Sequence, residues 1–397
     1  MKANRLILFV LISCIMSTAA LAQKWVGTWT TAQQVVEPHN LPPSPGLSGN
    51  SIREIVQLSI GGKTLRLKLS NEYGKQSTEI KAVEIAIAKT SGSSADIVEG
   101  TTKSVYFNSK QDVTIAAGEM VVSDPIKYKV GPRENIAITI HYGNCDNKNV
   151  TGHPGSRTTS YIAEGNTSDF TNAVKTDHWY NICGIDVVGK KQTRAVAILG
   201  NSITDGRGST TNQQNRWADN LSRSLLKNKA TRDVAVLNLG IGGNCVLRGG
   251  LGPTGAKRFN RDIMQQEGVK YIIIFEGIND LGGNRNGAET AKGLIEAYTK
   301  MIEEAHAKGI KVYGATITPF KGNNYYSPDH EAARSTVNEW IRTCKDLDAV
   351  IDFDKTVRDP ENTEALQKAF LFENDWLHLN ADGYKTMGES IDINLFK

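Results

Sequence analysis

Residues 195–199 read Ala-Val-Ala-Ile-Leu, a continuous apolar run followed at once by Gly200-Asn-Ser-Ile-Thr-Asp-Gly206. An unbroken run of this kind is typical of a strand that is covered on both faces in a parallel sheet. The Gly- and Ser-containing segment after it has the composition of a loop between two elements. Together they predict a β-strand that leads into an α-helix, which is the unit of an α/β fold.

Similar apolar runs recur through the C-terminal half and alternate with helix-length segments. Four further strands are predicted, at residues 234–239, 271–275, 311–317 and 349–353. The predicted helices are one with Trp217, Leu221 and Leu225 on one face, and two at residues 288–308 and 329–347. The alternation predicts a flavodoxin-like, doubly wound parallel sheet over residues 193–397. Ligands of such sheets bind beyond the carboxyl ends of the strands, so the strand-end loops are the expected place of the chemistry.

The preceding residues, 23–190, have a different periodicity. Apolar and polar residues alternate in segments such as 65–69, 83–87 and 136–140, which is typical of half-buried antiparallel strands. Turns rich in Gly, Asn and Ser separate these segments, and no long helical period interrupts them. The pattern predicts an antiparallel, jelly-roll-like β-sandwich that precedes the α/β domain.

Residues 1–22 have the pattern of an export signal. A basic start with Lys2 and Arg5 precedes an apolar run at residues 6–16, and Ala20-Leu-Ala22 is a cleavage motif. The run is shorter than the about 20 residues that a membrane-spanning helix needs. We therefore predict a signal peptide and a secreted or periplasmic protein without a transmembrane segment. A lipoprotein motif ending at Cys14 is the alternative, disfavoured because cleavage there falls inside the apolar run.

Composition excludes several classes of protein. Charged residues make up 22% of the 397, and the net charge is +4, or +2 once Lys2 and Arg5 are removed with the leader. These values indicate an ordinary globular protein and no nucleic-acid or anionic membrane partner.

Four cysteines remain after export, and they allow three pairings. Cys145 and Cys183 are the favoured pair because both lie in the front half, whereas Cys245 and Cys344 are expected as buried free thiols. Their spacing predicts no metal site.

Ser202 lies in the first strand-end loop, where its hydroxyl can project over the sheet beside backbone N–H groups. Taken alone, this pattern also fits a polar turn or a phosphate-binding loop. A nucleophilic serine needs a base, and only His378 combines a strand-end position with an acid, Asp375, three residues before it. The other six histidines are interpreted as surface or structural residues, with His306 in a solvated contact with Glu303.

Two further strand-end loops offer donors for an oxyanion. Gly243 lies in a Gly-rich loop that leaves a backbone N–H unshielded, and Asn279 supplies a side-chain amide after residues 271–275. Separately each is ordinary turn chemistry. Together with Ser202 and His378 they form a set at one sheet edge.

This set resembles the SGNH or GDSL family of hydrolases, which is named for Ser, Gly, Asn and His in separated blocks. Ser202, Gly243, Asn279 and the pair Asp375 and His378 match those blocks in order. The front half is similar to the β-sandwich of some secreted members, on residues 25–29, 59–69 and 153–161. Asn201 departs from the family, which has Asp beside the nucleophile, and we expect this to affect local hydrogen bonding more than chemistry.

The resemblance implies a secreted carboxylic-ester hydrolase that needs no cofactor and no metal. Ser202 is the implied nucleophile, His378 the base and Asp375 its partner, with an oxyanion hole made of the Ser202 and Gly243 N–H groups and the Asn279 amide. Export favours an acylated glycan as substrate and removal of acetyl or other small acyl groups. Lipase, lysophospholipase or arylesterase activity is the same-class alternative. A non-catalytic glycan-binding protein using Trp25 and Trp29 is a rival, and a nucleotide-binding domain is disfavoured because no phosphate-loop motif follows a strand.

Overall fold

A computed structural model describes residues 24–397. The predicted signal peptide, with Cys14, lies outside the described residues. Within them, an antiparallel β-rich region leads into a parallel sheet flanked by helices, which confirms the predicted fold class.

The N-terminal half contains fifteen strands in the described part of the chain. They are β1 (Trp25–Thr30), β2 (Gln34–Val35), β3 (Ser51–Gln57), β4 (Gly62–Ser70), β5 (Thr78–Ile87), β6 (Lys103–Val105), β7 (Val113–Ile115), β8 (Met120–Val122), β9 (Ile126–Val130), β10 (Asn135–Tyr142), β11 (Thr151–His153), β12 (Ser160–Ala163), β13 (Val174–Thr176), β14 (Trp179–Tyr180) and β15 (Ile182–Val188). A 3-10 turn, Pro38–Asn40, follows β2.

These strands form three antiparallel sheets. One has the order β1-β15-β4-β8 with β9 also on β4, and another the order β13-β12-β3-β10-β5-β6 with β7 also on β5. The third, β14-β11-β2, is short. Leu67 of β4 and Ile138 of β10 are fully buried in one apolar core, so the two larger sheets share their interior.

The C-terminal half alternates strands and helices. Its elements are β16 (Arg194–Gly200), α1 (Ser202–Asp205), α2 (Trp217–Leu226), β17 (Val234–Gly240), α3 (Gly255–Arg258), β18 (Val269–Phe275), α4 (Ile278–Gly283), α5 (Gly287–His306), β19 (Lys311–Ala315), α6 (Pro328–Thr343), β20 (Ala349–Ile351), α7 (Phe353–Val357) and α8 (Ala381–Ser390). A π-helix, Phe259–Met264, continues α3, and 3-10 turns occur at Lys368–Phe370 and Ile393–Phe396.

The C-terminal sheet is parallel throughout, with the order β17-β16-β18-β19-β20. Counted from β16, this is the 2-1-3-4-5 order of flavodoxin-like folds. The strand order reverses at β16, because β17 lies on one side of it and β18 on the other. The loops after β16, β17 and β18 therefore meet at the topological switch point, where such sheets bind ligands.

The two halves share one interior. Strand β1 packs beside β17, and a Cβ on Gly27 would lie 3.0 Å from a Leu237 methyl group. The backbone N–H of Val236 donates to Oγ of Ser59 at 3.2 Å. The N-terminal half thus covers the edge strand β17, which would otherwise expose unpaired backbone groups.

Three expectations need correction. The four cysteines of residues 24–397 are all free, and Cys145 and Cys183 do not pair: Cys145 follows β10 in one sheet, whereas Cys183 is buried in β15 of another. Cys344 is only half buried. Trp29 is buried against the edge of Trp179, so it cannot stack on a ligand.

Some element ends also differ from the sequence prediction. Helix α6 ends at Thr343 rather than at residue 347, and β19 and β20 each end two residues early. Strand β19 ends just before Thr316, whose hydroxyl donates a hydrogen bond to Oδ1 of Asp352. The Asp352 side chain also caps the N-terminus of α7. Side-chain hydrogen bonds of this kind end elements without changing the apolar pattern.

Among residues 24–397, none of the helices has the length and apolar content needed to cross a membrane. In the same part of the chain, no three His, Cys, Asp or Glu side chains gather in a group that could hold a metal ion.

Candidate active site

Ser202 lies at the end of β16, where it begins the short helix α1. Asn201 is the N-cap of α1, with Oδ1 accepting from the Ile203 N–H at 3.1 Å. Gly206 ends this helix in the left-handed region, φ 98°, and its N–H donates to the Ser202 carbonyl. Gly200 permits the close turn, since a Cβ there would lie 2.2 Å from Oγ1 of Thr204. Asn201, Gly206 and Gly200 thus place the Ser202 hydroxyl at the switch point.

Ser202, His378 and Asp375 form a hydrogen-bonded chain. Oγ of Ser202 lies 2.8 Å from Nε2 of His378. On the other side of the ring, Nδ1 of His378 donates to Oδ2 of Asp375 at 2.6 Å. Because Nδ1 carries the proton, Nε2 can accept the proton of the serine hydroxyl.

The loop that carries Asp375 and His378 is shaped by the carboxylate itself. Oδ1 of Asp375 accepts from the N–H groups of Leu377 at 2.9 Å and His378 at 2.8 Å. Burial raises the pKa of Asp375, but the hydrogen bonds from His378 and Leu377 outweigh it and hold the pKa below its usual value. The carboxylate is therefore ionised near neutral pH and fixes the orientation of the imidazole.

Ser202, Gly243 and Asn279 line one cavity, and each keeps a potential hydrogen-bond donor there. Ser202 is the first residue of α1 and Gly243 adopts φ 67°, and within the described residues neither N–H donates to a backbone oxygen. Nδ2 of Asn279 donates one hydrogen to the Asn244 carbonyl at 2.8 Å, which leaves the second free. The Tyr325 hydroxyl donates to Oδ1 of Asn279 at 3.2 Å and so keeps the amide nitrogen on the side of Asn244.

One cavity of about 380 Å³ brings these groups together. Ser202, Gly243, Asn279 and His378 line it, and Asp375 lies behind His378. The structure thus brings all five sequence-predicted site residues to one place. The remaining lining residues are Gln34, Glu37, His39, Asn40, Pro154, Gly155, Arg157, His178, Asp205, Arg207, Gly242, Leu251, Tyr325 and Leu377.

The buried Arg258 forms hydrogen bonds with several segments around the site. The guanidinium of Arg258 donates to the carbonyls of Gly200 at 3.0 Å and Leu239 at 2.6 Å. Its Nε donates to Oδ1 of Asn244, the residue whose carbonyl holds Asn279. Arg258 therefore links the ends of β16 and β17 to the loop that orients the Asn279 amide.

A hydrogen bond to Glu276 explains why an amide side chain suits position 201. Nδ2 of Asn201 donates to Oε2 of Glu276 at 3.1 Å. Burial raises the pKa of Glu276 to about 8, although the charge of Arg258 opposes this shift. An aspartate at position 201 would face this buried carboxyl with a second one, whereas the amide can donate to it. The amide at position 201 thus suits a neighbouring carboxyl that burial favours in its neutral form.

The N-terminal half supplies site residues that sequence reasoning missed. Nε2 of His153, which was interpreted as a surface or structural residue, lies 2.8 Å from Oδ1 of Asp205, and its Nδ1 lies 2.9 Å from the Ala32 carbonyl oxygen. Arg157 lies 3.5 Å from Oδ2 of Asp205. Both contacts join positions that are about fifty residues apart in the chain, so no local spacing could reveal them.

Apolar and aromatic side chains near the site divide between the cavity and the core. Leu251 and Tyr325 line the cavity, whereas Trp217 is fully buried against Phe275 and Phe353. His306 pairs with Asp348 at 2.8 Å rather than with Glu303.

Comparison with known proteins identifies one family. Residues 198–386 match the model of the GDSL-like lipase/acylhydrolase family. No curated protein matches the chain.

Among the solved structures that are similar to this chain are three with low sequence identity to it. A GDSL-like lipase from Bacteroides thetaiotaomicron is 20% identical, with 52% of this chain and 88% of that chain covered and a TM-score of 0.37. A carbohydrate acetylesterase from Sinorhizobium meliloti is 15% identical, with coverages of 50% and 96% and a TM-score of 0.38. A family two carbohydrate esterase from Cellvibrio japonicus is 10% identical, with coverages of 94% and 97% and a TM-score of 0.38.

Proposed function

We propose that this chain, whose residues 198–386 match the GDSL-like lipase/acylhydrolase family, hydrolyses carboxylic esters through an acyl-enzyme on Ser202. The observation that supports the proposal is a pair of hydrogen bonds. One joins Oγ of Ser202 to Nε2 of His378 at 2.8 Å, and the other joins Nδ1 of His378 to Oδ2 of Asp375 at 2.6 Å. A serine in this arrangement can attack a carbonyl because the base that takes its proton is already in contact.

In the proposed first step, Oγ of Ser202 attacks the ester carbonyl and its proton passes to Nε2 of His378. The oxyanion that forms is bound by the N–H groups of Ser202 and Gly243 and by the free N–H of Asn279. His378 then protonates the leaving alcohol, and the acyl group remains on Ser202. Asp375 stabilises the imidazolium and keeps the proton of Nδ1 in place.

The second half of the cycle uses the same groups in reverse. His378 takes a proton from a water molecule, which attacks the acyl carbon through the same oxyanion site. Collapse of the intermediate breaks the bond to Oγ, releases the carboxylic acid and returns the proton to Ser202.

We further propose that the acyl group is small and that the alcohol is polar. The cavity has polar groups on most sides, such as Glu37, Asn40 and Arg157, and its aliphatic side chains are Leu251 and Leu377, with Pro154. A long acyl chain gains about 25 cal/mol for each Å² of apolar surface that it buries, and this cavity offers little apolar surface to receive it. An acetyl or similar group on a glycan fits this lining best.

The export and domain predictions are part of the proposal. Residues 1–22 have the sequence of a signal peptide, which supports a secreted or periplasmic enzyme that meets an extracellular polymer. We also propose residues 23–190 and 193–397 as its two domains.

The test is the initial hydrolysis rate of purified protein on 4-nitrophenyl esters from acetate to palmitate, with acetylated xylan and pectin alongside. We expect activity on short acyl chains and release of acetate from the glycans, both lost in Ser202→Ala. A preference for long chains would instead favour a lipase, and an active Ser202→Ala variant would exclude the acyl-enzyme.

A further inference from the structure

We propose that the N-terminal half forms the subsite for the alcohol part of the ester, and that Glu37 and Arg157 make this subsite selective for a sugar or another polyol. The inference rests on the proposed function, because it assigns the leaving group of that reaction. It gives the β-rich half a direct part in substrate recognition.

The first support is the composition of the cavity wall opposite the catalytic loops. Glu37, Asn40, Arg157 and His178 all belong to the N-terminal half, yet they line the same cavity as Ser202 and His378. An ester whose carbonyl reaches Ser202 must place either its acyl or its alcohol part against this wall.

The segment that carries Arg157 packs tightly against the residues that follow Ser202. Its residue Gly155 lies so close that a Cβ would be 1.9 Å from Oδ2 of Asp205. The carbonyl of Arg157 accepts from the Asn212 N–H at 3.0 Å, and that of Ser156 accepts from Arg216. These contacts, with the bond between His153 and Asp205, fix the wall relative to the nucleophile.

The Arg157 guanidinium is held in the cavity with donors to spare. The backbone of Arg157 adopts φ 50°, a conformation that non-Gly residues rarely take and that often marks functional sites. Its side chain is 27% exposed, and its contact with Asp205 is a long 3.5 Å. A ligand oxygen can therefore accept from this group without breaking a strong bond.

Glu37 supplies the complementary acceptor. Its two carboxylate oxygens accept from Gln34 and Asn40, which hold the group in place, and an ionised carboxylate has further lone pairs for a ligand. A hydroxyl group both donates and accepts, so a donor and an acceptor on one wall suit a polyol. An acyl chain uses neither group, and the charge of Glu37 opposes an anionic ligand.

The test compares two acetate esters of six-membered rings. One is a mono-O-acetyl methyl glucoside, and the other is cyclohexyl acetate, which lacks the hydroxyl groups. Acetate release gives kcat/KM for the wild type, Glu37→Ala and Arg157→Lys. Glu99→Ala and Arg285→Lys change the same residue types at exposed positions outside the cavity and serve as matched controls.

We expect the wild type to prefer the glucoside acetate by at least about tenfold, since a hydrogen bond to a charged group is worth roughly one to two powers of ten. Each of the two wall variants should lose about tenfold or more on the glucoside acetate and little on cyclohexyl acetate, with both controls unchanged. Equal losses on both esters, or no preference in the wild type, would overturn the subsite. A wild type that hydrolyses neither ester would instead reject the proposed function itself.

Discussion

His153 of the N-terminal half and Asp205 of the nucleophile loop form a buried pair, with Nε2 of the imidazole 2.8 Å from Oδ1 of the carboxylate. Their side chains are 4% and 3% exposed. A second pair, His306 and Asp348, has the same 2.8 Å distance at the surface, with side chains 40% and 29% exposed. The two pairs differ mainly in burial, and they allow a matched comparison.

We predict that His153→Ala lowers the free energy of unfolding far more than His306→Ala does. Removing one partner of a buried pair typically costs about 3–5 kcal/mol, and His153→Ala leaves the buried Asp205 carboxylate with only the long 3.5 Å contact to Arg157. An exposed pair contributes about 0–1 kcal/mol. Denaturant unfolding of both variants measures the difference. Equal losses would mean that Asp205 does not depend on His153.

The Asn279 amide is predicted to act on the transition state. Asn279→Ala should lower kcat by about 10²–10³-fold with KM little changed, since loss of one oxyanion donor has this typical cost. Steady-state kinetics on a short-chain ester measures the effect, and Asn362→Ala, at an exposed position, is the control. A normal kcat in Asn279→Ala would remove Asn279 from the oxyanion hole.

Asp375→Asn is predicted to leave the loop intact and to reverse the proton arrangement of His378. The amide oxygen can still accept from the Leu377 and His378 N–H groups, but its nitrogen then faces Nδ1. Nδ1 becomes an acceptor, Nε2 carries the proton, and kcat should fall by about 10⁴-fold. Asp382→Asn, an exposed change on α8, should keep full activity. A small loss of kcat in Asp375→Asn would mean that another group orients His378.

Glu276 is predicted to make the protein less stable as pH rises. Its pKa is about 8 in the folded state because of burial, and ordinarily 4.5. Between these values the folded state keeps a proton that the unfolded chain has lost, so the free energy of unfolding decreases with rising pH and then levels off.

Glu276→Gln should reduce this decrease, because the amide stays neutral throughout the interval. Unfolding measured at several pH values between 4.5 and 8 tests this, with the exposed Glu339→Gln as control. Identical pH dependence in Glu276→Gln and the wild type would show that Glu276 keeps an ordinary pKa. Asp280, whose burial raises its pKa to about 6, contributes a decrease of the same sign in both proteins.

The sequence predicted the fold class and the grouping of Ser202, Asn279 and His378 because both follow from local patterns. Apolar runs at strand length identify the parallel sheet, and parallel strands bring their end loops to one edge. Asp375 was found by its short spacing to His378. Each of these signals lies within a few residues of the group that it identifies.

The contacts between the halves were not predictable in the same way. The bonds from His153 to Asp205, and from Arg258 to the ends of β16 and β17 and to Asn244, depend on tertiary packing between separate parts of the chain. The expected pair of Cys145 and Cys183 was wrong because a shared half of the chain does not place two residues in one sheet. Packing, rather than local pattern, decides such positions.

Trapping the covalent intermediate tests the acyl-enzyme mechanism directly. The protein is mixed with a large excess of 4-nitrophenyl acetate and quenched in acid during turnover, and its peptides are then analysed by mass spectrometry. We predict that one acetyl group is found on the peptide at Ser202, that Asn279→Ala accumulates it more slowly, and that Ser202→Ala carries none. Steady turnover with no acetyl group at Ser202, or an acetyl group on another residue that turns over at the catalytic rate, would contradict the acyl-enzyme mechanism.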